Sequence, residues 1–250
     1  MQAELLSEHN RLVKQIRRAI ADGGLSEDGF ALAEGPHLID EARNAGCEIE
    51  AVIVRESSSE KYLLAGARVA SDKLFRDLST TESPQGVLAL VRPRAFTFAE
   101  IATDKATLIL LDGIQDPGNA GAILRAAEAF GTSGCVFLKG SVNPYNPKCI
   151  RGSAGSVFRM PLVAAAAESV LDSIKTPLYA AIPGTGKTIL DADLKAPFAI
   201  AIGSEGHGVS STVAARATAL RIPTRLVESL NAAVAAGIIL YEAQRQRESK

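Results

Sequence analysis

Three glycine-containing loops carry the polar side chains of this 250-residue chain that are best suited to chemistry. The first loop follows an apolar run and ends in Asn119-Ala-Gly-Ala-Ile-Leu-Arg125, on a predicted helix. Asn119 has the side chain of a helix N-cap. Arg125 stands among apolar neighbours, and an arginine on a largely buried helix has to meet an anion or line a cleft. This loop therefore predicts a site at which Arg125 contacts an anionic group or lines a cleft.

The other two loops also follow predicted strands. In the second loop, Gly203 to Gly208, the glycines let the backbone approach a ligand, and Glu205 stands at the carboxyl end of a strand, where α/β folds place ligands. The third loop runs from Ile222 into the last helix, which Ser229 or Asn231 is suited to cap. Taken singly, each of these loops can be explained by a structural role, such as a turn or a helix cap. Three such loops on one sheet indicate a shared pocket.

Alternating strand and helix patterns predict an α/β protein with two domains, residues 1–95 and 106–250, joined by a linker at 96–105. Continuous apolar strands in the second domain favour a parallel sheet that is covered on both faces. Its predicted strands are Thr107–Leu111, Cys135–Leu138, Tyr179–Ile182, Phe198–Ile202 and Ala219–Ile222. The predicted helices include Leu5–Ile20, Glu60–Ala67, Asn119–Phe130 and Ser229–Arg247, and the alanine run Ala164–Ala167 is also assigned to a helix.

The charge distribution allows a nucleic-acid partner but does not require one. The net charge is −1 overall, −4 over residues 1–105 and +3 over residues 106–250. The sequence pI of about 6.3 is low for a protein that holds RNA by charge alone, so RNA contacts should be local. Arg11, Lys14 and Arg18 recur at helical spacing, which fits either a set of phosphate contacts or a solvated helix face.

Several other functions are disfavoured. The segment Gly184–Thr188 ends like a phosphate-binding loop, but Ala181 occupies the first glycine position and a loop follows where a helix is needed, which argues against an NTPase. The histidines and the three cysteines lack metal-ligand spacing, so we expect no metal. No apolar run is long enough to cross a membrane and no signal-peptide pattern begins the chain. We therefore expect a cytoplasmic protein with reduced thiols.

Taken together, these segments resemble the signature motifs of the SpoU/TrmH family of RNA ribose methyltransferases, within the SPOUT superfamily. Asn119–Arg125 resembles the first motif, Gly203–Gly208 the second and Ile222–Ala236 the third. The intervening residues 146–155 also fit, and residues 7–14, 34–37 and 83–87 resemble the N-terminal substrate-binding domain of the family. The resemblance covers nearly the whole chain in order and spacing.

The resemblance implies a fold and an activity. The fold would be a small α/β substrate-binding domain followed by a SPOUT domain whose parallel sheet contains a deep trefoil knot, a rare topology. The second domain would form a homodimer whose active sites draw on both subunits, and the apolar part of the last helix, Asn231–Tyr241, either supplies dimer surface or packs entirely within its own domain. The protein would transfer the methyl group of S-adenosylmethionine to a ribose 2′-hydroxyl of structured RNA, with rRNA favoured. The alternatives are a tRNA ribose methyltransferase and a catalytically inactive RNA-binding protein.

The resemblance also implies roles for five polar residues. Arg125 would fix a phosphate and stabilise the developing alkoxide, while a phosphate or water accepts the proton, since guanidinium does not readily deprotonate. Asn119 would orient Arg125 or the ribose, and Glu205 would anchor Arg125 through a charge-assisted pair. Ser229 and Asn231 would complete the polar wall. RNA phosphates would contact the N-terminal cations named above.

Cofactor binding in the family relies on backbone groups of the second and third motifs. By motif position, the implied S-adenosylmethionine-binding residues are Gly203, Ile222 and Leu230. Two departures from the family pattern occur nearby. Ser204 stands where the family often has Asn, and the stretch after Pro223 is one residue short and lacks its usual glycine. A differently shaped cofactor loop is therefore expected.

Overall fold

The computed structural model describes residues 5–62 and 66–249, which divide into two compact units. The first unit lies within Met1–Arg94 and also includes Tyr145–Arg159, while the second consists of Ala95–Pro144 and Met160–Lys250. The boundaries predicted from the sequence place residues 145–159 in the second domain instead. They group with the first unit because their two short helices pack against its first strand and its second helix.

The first unit is a small α/β structure. Its described strands are β1 (Ala31–Glu34), β2 (Glu48–Arg55), β3 (Arg68–Ala70) and β4 (Val87–Arg92), which form a sheet of order β1-β4-β2-β3. Its described helices are α1 (Arg11–Ala21), α2 (Pro36–Asn44), α3 (Ser59–Tyr62) and α4 (Asp72–Leu78). The helix predicted at Glu60–Ala67 thus begins at Ser59, and its residues 63–65 lie outside the described part of the chain.

Helix α1 starts later than predicted. The prediction began at Leu5, but Leu6 donates its amide to the carbonyl of Val69 at 2.7 Å, beside strand β3. The helix begins at Arg11 because Asn10 caps it, accepting the amide of Leu12 at 2.9 Å. The apolar face of α1 packs on the sheet of the first unit, as its amphipathic pattern indicates.

The second unit is built on a parallel sheet, as predicted. In chain order its remaining elements are α5 (Phe98–Ile101), β5 (Leu108–Asp112), α6 (Pro117–Ala129) and β6 (Gly134–Leu138), then, after α7 (Pro147–Gly152) and α8 (Ser156–Arg159) of the first unit, β7 (Leu162–Ala166), β8 (Leu178–Ala181), β9 (Lys187–Thr188), β10 (Ala199–Gly203), α9 (Ser211–Ala214), β11 (Thr218–Arg221) and α10 (Ala232–Glu248). The described strands take the order β7-β6-β5-β10-β8-β11-β9, and every pair is parallel.

The sheet order brings the ends of several strands together. Gly203 at the end of β10 pairs with Asp112 at the end of β5, so the first two loops leave the sheet side by side. The third loop begins after β11, which is separated from β10 by β8 alone. The carboxyl ends of parallel strands share one edge of the sheet. The three loops therefore meet at that edge.

Two predictions differ from the structure of the second unit. Residues Ala164–Ala167 were assigned to a helix, but Leu162–Ala166 forms β7, because pairing with β6 outweighs the helix propensity of alanine. The register of that pairing shifts near Ala165, whose φ is 50°. The predicted linker contains α5, whose capping box and buried Ile101 anchor it.

The trefoil knot stays a prediction. Across residues 5–62 and 66–249, the helices fall short of what a membrane crossing needs in length or apolarity.

Candidate active site

A chain of hydrogen bonds joins three of the predicted site residues, one from each loop. The Asn231 side-chain amide donates through Nδ2 to Asn119 Oδ1 at 3.0 Å, and Asn119 Nδ2 donates to Glu205 Oε1. Asn231 Oδ1 also accepts the backbone amides of Ala233 at 3.0 Å and Val234 at 3.2 Å. Three residues that lie up to 112 positions apart in sequence therefore form one polar network.

The helix starts hold two members of this network in place. Asp116 is the N-cap of α6 and accepts the amide of Asn119 at 2.7 Å, with Pro117 at the first helical position. The prediction that Asn119 caps this helix was therefore wrong, and its side chain is left available to face Glu205. Ser229 and Asn231 were the two predicted caps of the last helix, and Asn231 is the N-cap of α10. Its side-chain oxygen accepts hydrogen bonds from the helix, while its side-chain nitrogen donates to Asn119.

The network has a defined direction. The amides at the start of α10 can only donate, so the group of Asn231 that faces them is its carbonyl oxygen. Its NH₂ group then faces Asn119, whose own NH₂ group faces the carboxylate of Glu205. Donors thus point from the helix start toward Glu205, one of whose oxygens is occupied. The other oxygen can accept a hydrogen bond from a ligand hydroxyl.

A cavity of about 290 Å³ opens between the second and third loops and strand β8. All three predicted cofactor-binding residues line it, and so do Glu205 and Ser229. The other lining residues, most of them apolar or small, are Ala181, Ile182, Pro183, Ile202, Ser204, Gly208, Leu220, Thr224, Glu228, Ala232 and Ala235. Pro183 directly follows the predicted strand Tyr179–Ile182, but it was not predicted as a site residue. Apolar walls with carboxylates among them suit a partly apolar, positively charged ligand.

Gly203 allows the second loop to close beside this cavity. Ser204 and Gly208 exchange two backbone hydrogen bonds of 3.1 and 2.9 Å, which fold the loop back on itself. A Cβ atom at Gly203 would collide with the backbone of Gly208 and Val209. The glycine is therefore needed for close approach of two backbone segments.

A second cavity, of about 700 Å³, is also lined by this loop. Ser204, Glu205 and Gly208 line both cavities. Asp112, which sequence analysis missed, is 6% exposed and lines the second cavity. Its Oδ2 accepts the amide of Ser210 at 2.6 Å, which ties the second loop to the end of β5. Its position directly after the predicted strand Thr107–Leu111 was the available signal.

Arg125 does not join the network. It is exposed on α6, and in the described part of the chain its guanidinium has no hydrogen-bond or ion-pair partner. Neither of the two cavities includes it in its lining. The predicted pair between Glu205 and Arg125 is therefore absent from the described residues, because the Glu205 carboxylate faces Asn119. Helix α6 is also less buried around Arg125 than predicted, since Ala122 and Ala129 are exposed.

The N-terminal cations differ from one another in their surroundings. Arg11 forms an ion pair with Asp28 at 2.6 Å, and Arg18 lies 3.7 Å from Asp22 and also pairs with Glu27. The hydrogen bond from Arg11 lowers the pKa of Asp28 from its ordinary value. Two of the three predicted phosphate contacts are thus partly neutralised by carboxylates. Lys14 is exposed, and within residues 5–62 and 66–249 it has no such partner.

The described residues contain no group of three or more His, Cys, Asp or Glu side chains arranged to hold a metal ion. The site instead combines a cavity with apolar walls, a carboxylate with one oxygen already held, and an open polar cavity beside it. This arrangement can bind a small ligand in one cavity and orient a hydroxyl group at the carboxylate.

Comparisons with known proteins found matches to both units of the chain. A model of the SpoU rRNA Methylase family matches residues 106–241, and a model of the MRM3-like substrate binding domain matches residues 10–89. The chain is 30% identical to the 23S rRNA (guanosine(2553)-2′-O)-methyltransferase RlmP of Bacillus subtilis, over 95% of this chain and 98% of that protein.

Two solved structures are similar over almost the whole chain. The AdoMet-bound rRNA methyltransferase from Sinorhizobium meliloti matches with a TM-score of 0.82 and 28% identity, over 100% of both chains. The SpoU methyltransferase AviRb from Streptomyces viridochromogenes, in complex with the cofactor AdoMet, matches with a TM-score of 0.83 and 27% identity, over 96% of this chain and 99% of that one.

Proposed function

Because the chain belongs to the SpoU rRNA methylase family, we propose that it transfers the methyl group of S-adenosylmethionine to a ribose 2′-hydroxyl of RNA. The observation that carries this proposal is the network of Asn119, Glu205 and Asn231 at the edge of a cavity with mostly apolar walls and acidic charges. The apolar walls suit adenine and the carboxylates suit a cation. Backbone groups of Gly203, Ile222 and Leu230 would hold the adenine.

The residues of the chain provide positioning and charge stabilisation. When bound, S-adenosylmethionine supplies a methyl group on a cationic sulfonium, which needs no metal for activation. The unoccupied oxygen of Glu205 accepts a hydrogen bond from the ribose 2′-hydroxyl and orients it, while Asn119 keeps the carboxylate in place. Arg125 binds the adjacent phosphate and stabilises the alkoxide as it forms. The proton leaves to a phosphate or a water.

We assign rRNA as the substrate, since the Bacillus subtilis relative is a 23S rRNA methyltransferase. The test is to incubate the purified protein with labelled S-adenosylmethionine and either rRNA or tRNA, and to map ribose methyl groups in the products. A new 2′-O-methyl group in rRNA is the expected result. Methylation of tRNA alone would contradict the substrate assignment. Binding of RNA without methylation would contradict the activity and favour the inactive RNA-binding protein.

We also propose that the second unit forms a homodimer in which both copies contribute to each site. Arg125 is exposed on α6 without a described partner, and α6 packs against α10. The outer side of α10 exposes Val234 and Tyr241, seven residues apart and thus on one face. Leu226 of the third loop is 98% exposed. A second copy that covers this apolar surface brings Arg125 to the cavity of its partner.

The first unit is proposed to bind RNA, and the protein is proposed to work in the cytoplasm. Lys14 is the candidate phosphate contact with the strongest support, because it is exposed and not neutralised, and Arg17, three residues further on, is also exposed. Arg11 and Arg18 would have to leave their carboxylate partners. The three cysteines are buried, and within residues 5–62 and 66–249 they form no disulfide, which is typical of a reducing compartment.

Asn231→Asp is expected to separate the capping role of Asn231 from its role in the site. Aspartate caps a helix about as well as asparagine, so the melting temperature should change little. The variant loses the donor to Asn119, and its carboxylate competes with Glu205 for the Asn119 amide. We expect methyl transfer to fall by about 10- to 100-fold, measured as kcat with saturating S-adenosylmethionine. A wild-type rate would mean that the network does not contribute to catalysis.

A further inference from the structure

One charged side chain on the wall of the cofactor cavity, Glu228, has no role in the function proposed above. Among the described residues that line the cavity, the charged ones are Glu205 and Glu228. Both are acidic, and the other lining side chains are apolar or neutral. Glu205 is held in the polar network. Glu228 lies in the exposed third loop, and in the part of the chain that the structure describes its carboxylate has no hydrogen-bond or ion-pair partner.

S-adenosylmethionine carries two positive charges, on the sulfonium and on the α-ammonium group, and one negative carboxylate. The methyl group is transferred beside Glu205, so the sulfonium has to lie at that end of the cavity. The adenine needs the apolar walls. The α-ammonium group then remains to be recognised, and Glu228 is the remaining carboxylate on the cavity wall.

We propose that Glu228 binds the α-ammonium group of S-adenosylmethionine and so determines how the methionine end of the cofactor is oriented. This inference rests on the proposed function. The exposure of Glu228 agrees with it, because a charged amino-acid end is better placed at a solvated cavity mouth than among the apolar walls. An exposed loop also lets the carboxylate adjust to the ligand.

Three ligands and one substitution test the proposal by isothermal calorimetry. S-adenosylmethionine has both positive groups, S-adenosylhomocysteine has the ammonium but a neutral thioether, and 5′-methylthioadenosine has neither. Glu228→Gln should weaken the binding of the first two ligands to a similar extent, by about five- to tenfold. Binding of 5′-methylthioadenosine should stay unchanged. Higher salt should reduce the difference between wild type and variant, because the pair is exposed.

The other outcomes contradict the assignment in distinct ways. Weaker binding of S-adenosylmethionine alone would mean that Glu228 faces the sulfonium. Equal weakening of all three ligands would mean that the substitution disturbs the third loop, and no change would mean that the carboxylate makes no contact. Glu168→Gln, at an exposed glutamate that lines neither cavity, is the matched control and should bind like wild type. If the wild-type protein binds none of the ligands, the proposed function itself fails.

Discussion

Arg125→Ala is expected to reduce kcat for RNA methylation by at least about 100-fold, with the affinity for S-adenosylmethionine almost unchanged. Removal of one preorganised group that stabilises developing negative charge typically has an effect of this size. Arg125 does not line the cofactor cavity of its own subunit, and the role proposed for it in the partner's site is to bind the RNA phosphate, so cofactor binding should depend little on it. The measurements are single-turnover methylation of RNA and calorimetry with the cofactor.

The control for this prediction is Arg216→Ala. Arg216 is also a partly exposed arginine of the second unit, and its ion pair with Asp172 lies on the surface, where such pairs contribute little to stability. The Arg216→Ala variant should methylate RNA at the wild-type rate. A variant of Arg125 that keeps full activity would refute the role given to this guanidinium.

The proposed sharing of the site between two copies has its own test. Arg125→Ala and Glu205→Gln are each expected to be inactive alone. When the two variants are coexpressed, half of the dimers are mixed, and each mixed dimer has one site with both residues intact. About a quarter of the wild-type activity should then return. If Arg125 acted in its own subunit, every site would lack one residue and coexpression would restore nothing.

Gly203→Ala is expected to lower the affinity for S-adenosylmethionine by about 100-fold. The added methyl group would collide with the backbone of Gly208 and Val209, and backbone cannot move aside as a flexible side chain can. The loop that carries Glu205 has to open, and with it the wall of the cofactor cavity. Overpacking of this kind also lowers the free energy of unfolding, by about 1–3 kcal/mol.

Gly206→Ala is the matched control, since a Cβ atom at Gly206, in the same loop, has nothing within 4 Å. It should keep the wild-type cofactor affinity. Circular dichroism at the assay temperature establishes that the Gly203 variant is folded when its binding is measured. Wild-type affinity in that folded variant would show that the close approach at Gly203 is not needed for the cavity.

Local patterns were sufficient to predict most of the second unit. The apolar runs that precede the three loops form parallel strands because they are buried on both faces, which leaves continuous rather than alternating hydrophobicity. The glycine-rich turn before Lys187 continues into strand β9, so the absence of a helix there, which argued against a phosphate-binding loop, was also predictable. Motif order and spacing predicted that Gly203, Ile222 and Leu230 lie together, and they line one cavity, while their role in binding the cofactor stays a prediction.

Tertiary contacts decided two of the wrong predictions, and a local sequence signal decided the third. Alanine favours helices in isolation, yet the run at Ala164–Ala167 became part of a strand because an edge of the sheet was available. Asp116 and Asn119 are both good caps, and Pro117 at the first helical turn was the overlooked signal that favours Asp116. The partner of Glu205 was unpredictable, because spacing cannot tell whether a carboxylate faces an arginine or an amide.

The one-way order of the amide network also limits the chemical lifetime of the site. Hydrolysis of the side-chain amide of Asn119 or Asn231 to a carboxylate barely alters size or shape, but it replaces a donor with an acceptor. Asparagines are among the thermolabile residues of proteins. An aged sample could therefore melt normally and crystallise well while it slowly loses turnover, and a mass increase at these two positions would identify the cause.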